Sequence, residues 1–209
     1  MYPLMYFIDI PFFKSIDKEE CEEITDLEEE LRIIKQKMLL YSIIVDRYKD
    51  IIESKEEKSV STLKYLINPE DKFIHSKVDE IKKEFQEYSI EKAVIKSIEY
   101  IKTIKTIKWP VSFWLSFEDM DKFKLGDEMD KCLFLCSLFK ALDIESKILV
   151  DEDKKPFVFL NIDSLFFLID CEEGIKIQGS KEEILNSKTF IYSFSDKEYE
   201  DLTEEEIKL

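Results

Sequence analysis

Thiol chemistry is the first chemistry that the residue types allow. The 209-residue chain has four cysteines, Cys21, Cys132, Cys136 and Cys171, and a single histidine, His75. No two cysteines form a CxxC pair, so they do not make a conventional zinc site, and we expect neither a metal nor a cofactor. Cys132 and Cys136 are four residues apart and share one face of a predicted helix, where neighbouring thiols usually act as small apolar fillers of a core.

Cys132 is also a candidate nucleophile, and with it the chain would be a cysteine hydrolase or acyltransferase. Such an enzyme needs a base within hydrogen-bond reach of the thiol, and the sequence offers no obvious one. His75 belongs to the predicted helical N-terminal half and would have to fold over the site. A carboxylate pair, Glu128 and Asp170, could act as acid and base in a hydrolase, but no sugar-binding or metal-binding residues accompany it.

The segment that carries Cys132 is predicted to be a helix at residues 129–142, apolar nearly all round, as is typical of a helix enclosed in a core. Gly126 and Asp127 supply its entry turn and its cap. Strand-like runs follow at residues 147–150, 157–161, 165–170 and 189–194, and a tight turn at residues 162–164 joins the middle two. A buried helix followed by an antiparallel meander predicts an α+β fold.

The start of this helix resembles a motif of the transglutaminase-like superfamily, which has a papain-like cysteine-enzyme fold. The family motif reads G-D-C-x-D-K-A, and its nucleophilic cysteine falls on Glu128. Its other fixed points are retained as Gly126, Asp127, Asp130 and Lys131. The family's next two strands, H-A-W-V-x-V and W-x-x-L-D, match residues 155–170, with the histidine position at Lys155 and the aspartate retained as Asp170. The resemblance covers about residues 107–174.

The resemblance implies a degenerate member that lacks the catalytic cysteine and histidine. In the family, a helix N-terminus and an imidazolium lower the pKa of the thiol, and the aspartate orients the imidazole. Glu128 is a poor substitute for sulfur in acyl transfer, and Lys155 cannot exchange protons near neutral pH as imidazole does. We therefore expect no catalytic residue, but a Glu128–Lys155 ion pair with Asp170 nearby. The candidate residues of a groove for a partner are Trp114, Cys132 and Phe157.

The N-terminal half is predicted to be helical. Apolar residues from Leu27 to Ile52 step alternately by four and three, which is the a/d spacing of a supercoiling helix. Further apolar residues widen this face, so both packing within its own domain and pairing with a partner helix stay open. Two more helices are expected between residues 73 and 107, meeting near Ser89, before Trp109 and Pro110 end the pattern.

These patterns divide the chain into three parts. Residues 1–107 form a helical N-terminal region with the long heptad-patterned helix, residues 108–194 a transglutaminase-like core, and residues 195–209 an acidic tail. The apolar start at residues 1–13 is interpreted as a strand or a packing arm. The tail is expected to be mobile or to form a short docking helix.

The charge of the chain restricts its partners. A formal net charge of −16, with no basic run free of acidic residues, disfavours nucleic acid and anionic membrane surfaces. No stretch has the roughly 18 to 20 uninterrupted apolar residues of a membrane span, and the start lacks the features of a signal peptide. We therefore expect a cytoplasmic protein. Abundant Ile, Lys and Glu with three glycines suggest an archaeal, bacterial or viral genome rich in A and T.

Three hypotheses about function follow from these observations. The first is a non-catalytic scaffold or protein-interaction module with a transglutaminase-like fold, since degenerate members of the superfamily serve as recognition domains. The alternative is a self-assembling structural protein, such as a viral component, built on the long helix. Both imply a protein partner or self-association, and the cysteine enzyme with Cys132 as nucleophile remains the third hypothesis.

Overall fold

The computed structural model describes residues 18–56, 59–85, 89–108 and 113–203. The arm predicted at residues 1–13 lies outside these ranges. The chain divides into two compact units, Met1–Asp50 and Ile51–Leu209. The described part of the first unit is helical, and the second contains both helices and strands. The protein is therefore of the α+β class, as the sequence predicts.

The long N-terminal helix begins in the first unit, and the other helices and strands alternate irregularly along the second unit. The helices are α1 (Lys18–Glu56), a 3-10 helix (Val60–Leu66), α2 (Lys72–Lys83), α3 (Ile90–Lys102), α4 (Phe117–Phe123), α5 (Glu128–Ala141) and α6 (Lys181–Leu185). The strands are β1 (Lys105–Thr106), β2 (Leu125–Gly126), β3 (Glu145–Asp151), β4 (Pro156–Ile162), β5 (Leu165–Asp170), β6 (Gly174–Gly179), β7 (Phe190–Phe194) and β8 (Tyr199–Asp201).

Helix α1 is a single helix of 39 residues, which confirms the long helix predicted from the four-three spacing and extends it at both ends. Ten large apolar side chains between Leu31 and Ile51 on this helix are 41% to 66% exposed. Five of them, Leu31, Ile34, Met38, Tyr41 and Tyr48, continue the four-three spacing and form the apolar face of α1, which is therefore open to solvent where the structure describes its side chains. The other five lie outside this stripe.

Helices α2 and α3 confirm the prediction of two helices that meet near Ser89. Asp71 caps α2 by accepting hydrogen bonds from the backbone N–H groups of Phe73 and Ile74, and Ser89 caps α3 by accepting one from Lys92. Their apolar faces are buried against α5, in the same unit as the sheet. The sequence assigns these helices to the N-terminal region, but they complete the core around α5.

Helix α5 is the centre of the second unit. Asp127 caps it, and the Asp127 and Asp130 carboxylates each accept a hydrogen bond from the other residue's backbone N–H, at 2.7 and 3.3 Å. Every residue from Asp130 to Phe139 is buried, because α2 and α3 cover one side of the helix and the sheet covers the other. The prediction of an enclosed helix is confirmed within one residue at each end.

The main sheet has six antiparallel strands in the order β6-β5-β4-β3-β7-β8. The turn between β4 and β5 has Asp163 and Ser164 at φ values of 49° and 68°. Positive φ at both central residues is the type I′ geometry that matches the twist of a hairpin. The hairpin therefore fixes the pairing of β4 with β5, in which Val158 lies opposite Ile169.

The two faces of this sheet carry separate apolar clusters. On the face that α5 covers, β4 and β5 contribute Val158, Leu160 and Ile169. The opposite face carries a second cluster, Leu149, Phe157, Phe159, Leu168, Ile184 and Phe190, with Ile184 supplied by α6. Since successive side chains of a strand alternate between faces, β4 and β5 are buried on both sides.

Three elements differ from what the sequence predicts. Strand β6 and helix α6 were not expected, and β8 lies within the segment assigned to the acidic tail, where it pairs with β7. A short parallel pair, β1 with β2, also joins the segment after α3 to the entry of α5. The sheet is therefore wider than the four predicted strands.

Candidate functional site

The start of β4 and the end of β5 bring together the two residues at the matched histidine and aspartate positions. The Nζ atom of Lys155, directly before β4, lies 2.7 Å from Oδ2 of Asp170, the last residue of β5. The Asp170 side chain is 1% exposed and that of Lys155 31%. The other Asp170 oxygen, Oδ1, accepts hydrogen bonds from the backbone N–H groups of Glu172 and Glu173 at 2.8 and 3.1 Å. Both carboxylate oxygens are thus engaged.

This pairing holds both groups in their charged forms. Burial alone would raise the pKa of Asp170, but the Lys155 ammonium and the two backbone N–H groups outweigh it and hold that pKa below its usual range. The Asp170 carboxylate raises the pKa of Lys155 against the effect of burial, and Glu128 and Glu172 add to the increase. Neither group is suited to exchange protons near neutral pH.

A second ion pair beside the first was not predicted. The Nζ atom of Lys188 lies 2.9 Å from Oδ2 of Asp151, and Oδ1 of Asp151 accepts a hydrogen bond from the backbone N–H of Lys155 at 2.9 Å. The ammonium groups of Lys188 and Lys155 lie 4.7 and 5.7 Å from the centre of the Phe157 ring. Two nearly buried carboxylates and two lysines therefore form one charge cluster over this ring.

The expected Glu128–Lys155 ion pair is not formed, because the partner of Lys155 is Asp170. Ile169 faces α5, so alternation along β5 turns Asp170 to the opposite face, which it shares with Leu168. Glu128 opens α5 on the other side of the sheet. The Glu128 carboxylate does not pair with Lys155, but its negative charge contributes to the raised pKa of Lys155.

Cys132 lies in the core rather than in a cleft. Its side chain is buried, and its Sγ atom is 3.3 Å from Sγ of Cys171, which directly follows β5. Burial and the neighbouring thiol raise the pKa of Cys132 well above its usual value, and burial raises that of Cys136 to about 12. Thiols in such surroundings are protonated and unreactive.

His75 does not approach Cys132. It lies on α2 with a 53% exposed side chain, 3.5 Å from a carboxylate oxygen of Glu70. It borders a surface cavity with Lys140 and Asp143, at the C-terminal end of α5. At 1.5 Å per residue, Lys140 is about 12 Å along the helix from Cys132. The imidazole therefore lies at the surface near the C-terminal end of α5, whereas the thiol lies in the core.

The predicted groove of Trp114, Cys132 and Phe157 is not formed. Trp114 borders a cavity of about 200 Å³ together with Asp130 and Leu133. Cys132 is buried on the α5 side of the sheet, whereas Phe157 belongs to the cluster on the opposite face. The prediction fails because β4 is apolar on both faces, so that its face toward α5 carries Val158 and not Phe157.

A polar cavity of about 450 Å³ lies at the other end of the sheet. Its floor is the stacked pair Phe159 and Phe166, whose ring centres are 5.4 Å apart. Four lysines line it, Lys140, Lys147, Lys181 and Lys197. Two of these ammonium groups, those of Lys140 and Lys147, already pair with Asp196 and Glu200.

Within the described ranges, no three His, Cys, Asp or Glu side chains are grouped so that they could hold a metal ion. None of the helices in that part of the chain combines the length and the apolar character needed to cross a membrane.

Comparisons with known proteins do not show a family. No protein-family model matches the chain, and no curated protein sequence does. A solved structure of EGTA-treated LapG from Legionella pneumophila aligns with 76% of this chain and 86% of its own, with 11% identity and a TM-score of 0.41. A likeness at this level identifies neither a site nor an activity.

Proposed function

We propose that this chain is a non-catalytic protein-interaction module, in which an α+β core supports a helix that binds a protein partner. The observation that carries the proposal is the exposure of the apolar face of α1. Ten large apolar side chains of this helix are 41% to 66% exposed: Leu31, Ile33, Ile34, Met38, Leu39, Leu40, Tyr41, Ile43, Tyr48 and Ile51. Five of them, Leu31, Ile34, Met38, Tyr41 and Tyr48, follow the four-three spacing and form one stripe along the helix, and an exposed apolar stripe of this length marks an interaction site.

The charge cluster supports the proposal that this chain does not catalyse acyl transfer. At the positions where the transglutaminase-like resemblance would place imidazole and aspartate, Lys155 and Asp170 form an ion pair whose pKa values are shifted away from neutrality. Glu128 occupies the position of the nucleophile, and Cys132 is buried beside Cys171. The family motif favours one form of this proposal, in which the chain is a degenerate transglutaminase-like scaffold.

The net charge of the chain supports a protein as the partner. At −16, the chain as a whole repels phosphate backbones and anionic membrane surfaces. The apolar face of α1 instead suits an amphipathic helix of a partner chain, which would bury its own apolar stripe there.

Site-specific photo-crosslinking in cells of the native host tests the proposal. A photoreactive amino acid at Met38, in the middle of the exposed face, is expected to form covalent adducts with protein. The same amino acid at Tyr65, which is 72% exposed but lies on the 3-10 helix, is the matched control and should form few. Equal labelling at the two positions, or no adduct at Met38, would contradict the proposal.

A further inference from the structure

We propose that the partner of α1 is a second copy of this chain, bound antiparallel, with the two-fold axis between Leu31 and Ile34. This inference rests on the proposed function, since it identifies the protein that covers the apolar face. The first supporting observation is the area of that face. A stable interface buries on the order of 800 Å² per partner. Five half-exposed side chains on one stripe of the helix, Leu31, Ile34, Met38, Tyr41 and Tyr48, together with the residues that flank them, are the part of α1 that would enter such an interface.

The spacing of these side chains fits a copy of the same helix. Leu31 and Met38 occupy a positions, and Ile34, Tyr41 and Tyr48 occupy d positions. In an antiparallel pair each a residue meets a d residue of the other helix, so Leu31 of one chain lies against Ile34 of the other. The two-fold axis repeats this contact with the chains exchanged, as an isologous interface requires.

The distribution of charge along α1 selects the antiparallel direction. Residues 18–30 contain eight acidic residues and one lysine, whereas residues 31–43 contain three basic residues and no acidic one. A parallel pair in register would place the eight acidic residues of one chain beside those of the other. With the axis between Leu31 and Ile34, residues 18–30 instead lie opposite residues 35–47, which carry three basic residues and one acidic residue.

The positions that flank the seam carry matching charges in this register. In an antiparallel pair, g positions face g positions and e positions face e positions. Glu30 and Lys37 are both at g and lie opposite each other across the axis. This contact occurs twice by symmetry, and the two Glu–Lys contacts specify the direction and the register.

Light scattering and sedimentation of the purified full-length chain test the inference. We expect a dimer with twice the 25.0 kDa chain mass. Met38→Glu should give monomers with an unchanged circular-dichroism spectrum, because this side chain is exposed in the single chain. Tyr65→Glu is the matched control and should remain dimeric. A wild-type chain that stays monomeric, or assembles beyond a dimer, would overturn the inference.

A charge exchange tests the register. Lys37→Glu should weaken the dimer about tenfold, because two attractive contacts become repulsive. The double variant Glu30→Lys/Lys37→Glu should restore the wild-type affinity. A parallel pair would place Lys37 beside Ser42 and Glu30 beside Lys35, so the second change would then weaken the dimer further. Failure of the double variant to recover affinity would therefore reject the antiparallel register.

Oxidation of Met38→Cys tests the direction independently. In the proposed pair the two copies of residue 38 are about 16 Å apart along the axis, which a disulfide cannot span. Disulfide formation between the two cysteines would overturn the inference. If the purified chain is monomeric while Met38 still crosslinks to another protein in cells, the self-pairing fails and the interaction function stands. If Met38 forms no adduct at all, both fail.

Discussion

Lys155 Nζ lies 2.7 Å from Oδ2 of Asp170, and this carboxylate is buried whereas the lysine reaches solvent. The pair joins the start of β4 to the end of β5, beside the second pair made by Lys188 and Asp151. A buried carboxylate that loses its cation keeps the full cost of desolvation. The cluster is therefore expected to contribute to stability rather than to proton transfer, and its removal should be measurable in unfolding experiments.

Lys155→Met is expected to lower the free energy of unfolding by about 2–3 kcal/mol, because it leaves the Asp170 carboxylate buried without its cation. Urea denaturation followed by circular dichroism measures this change. Lys154→Met is the control, since Lys154 is exposed and adjacent in sequence, and it should change stability by less than about 0.5 kcal/mol. Equal effects of the two substitutions would show that the ion pair contributes nothing.

The effect of Lys155→Met should depend on pH on the acidic side. The folded-state pKa of Asp170 is lowered, so its contribution is present above the unfolded pKa of about 3.9 and is lost as the pH falls through the folded value. The pKa of Lys155 is raised, so its contribution persists until the pH exceeds about 10.4. The stability difference between wild type and variant should be constant from about pH 5 to 9 and shrink below about pH 4.

The buried thiols should react slowly in the native protein. Mass spectrometry after timed alkylation should show Cys132, Cys136 and Cys171 labelled more than about a hundredfold more slowly than in the denatured chain, because local opening must precede the reaction. Their buried positions and the raised pKa values of Cys132 and Cys136 are the reason. Rapid and selective labelling of Cys132 would instead favour the cysteine hydrolase or acyltransferase.

The cap of α5 should depend on the carboxylate of Asp127 as a hydrogen-bond acceptor. Asp127→Ala removes the acceptor for the backbone N–H of Asp130 and is expected to cost about 1–2 kcal/mol in thermal or urea unfolding. Asp127→Asn keeps an acceptor oxygen at the same place and should cost only a few tenths of a kcal/mol. A similar loss in both variants would assign the effect to charge instead of capping.

Local patterns in the sequence predict much of this fold. Three helices can be recognised from local sequence features, and all three are observed. These features are the four-three spacing of α1, Ser89 before α3 and the apolar run of α5. Helix α6 has only five residues, too few for helical periodicity to show, and only the capping box of Ser180 and Glu183 could have revealed it. Strand β6 has just two apolar residues, Ile175 and Ile177, of which the first is exposed.

The candidate site was predicted less well, because its geometry depends on which face of each strand meets α5. Phe157, Val158 and Phe159 are all buried, so the apolar pattern of β4 does not distinguish its two faces. The sequence could match Lys155 with Asp170 through the length of the hairpin, but it could not show that Glu128 lies across the sheet. The Lys188–Asp151 pair was missed because it depends on β7 returning beside β3.

The position of β3 between β4 and β7 also has a consequence for synthesis on the ribosome. Its second neighbour, β7, begins about forty residues after β3 ends, so β3 keeps an open edge while β4, β5 and β6 emerge. Phe194, which is fully buried under α5, is among the last core residues to be translated. A nascent chain that stops before residue 190 therefore exposes an unpaired strand edge and an unfilled core, and it should be a substrate for chaperones or proteases.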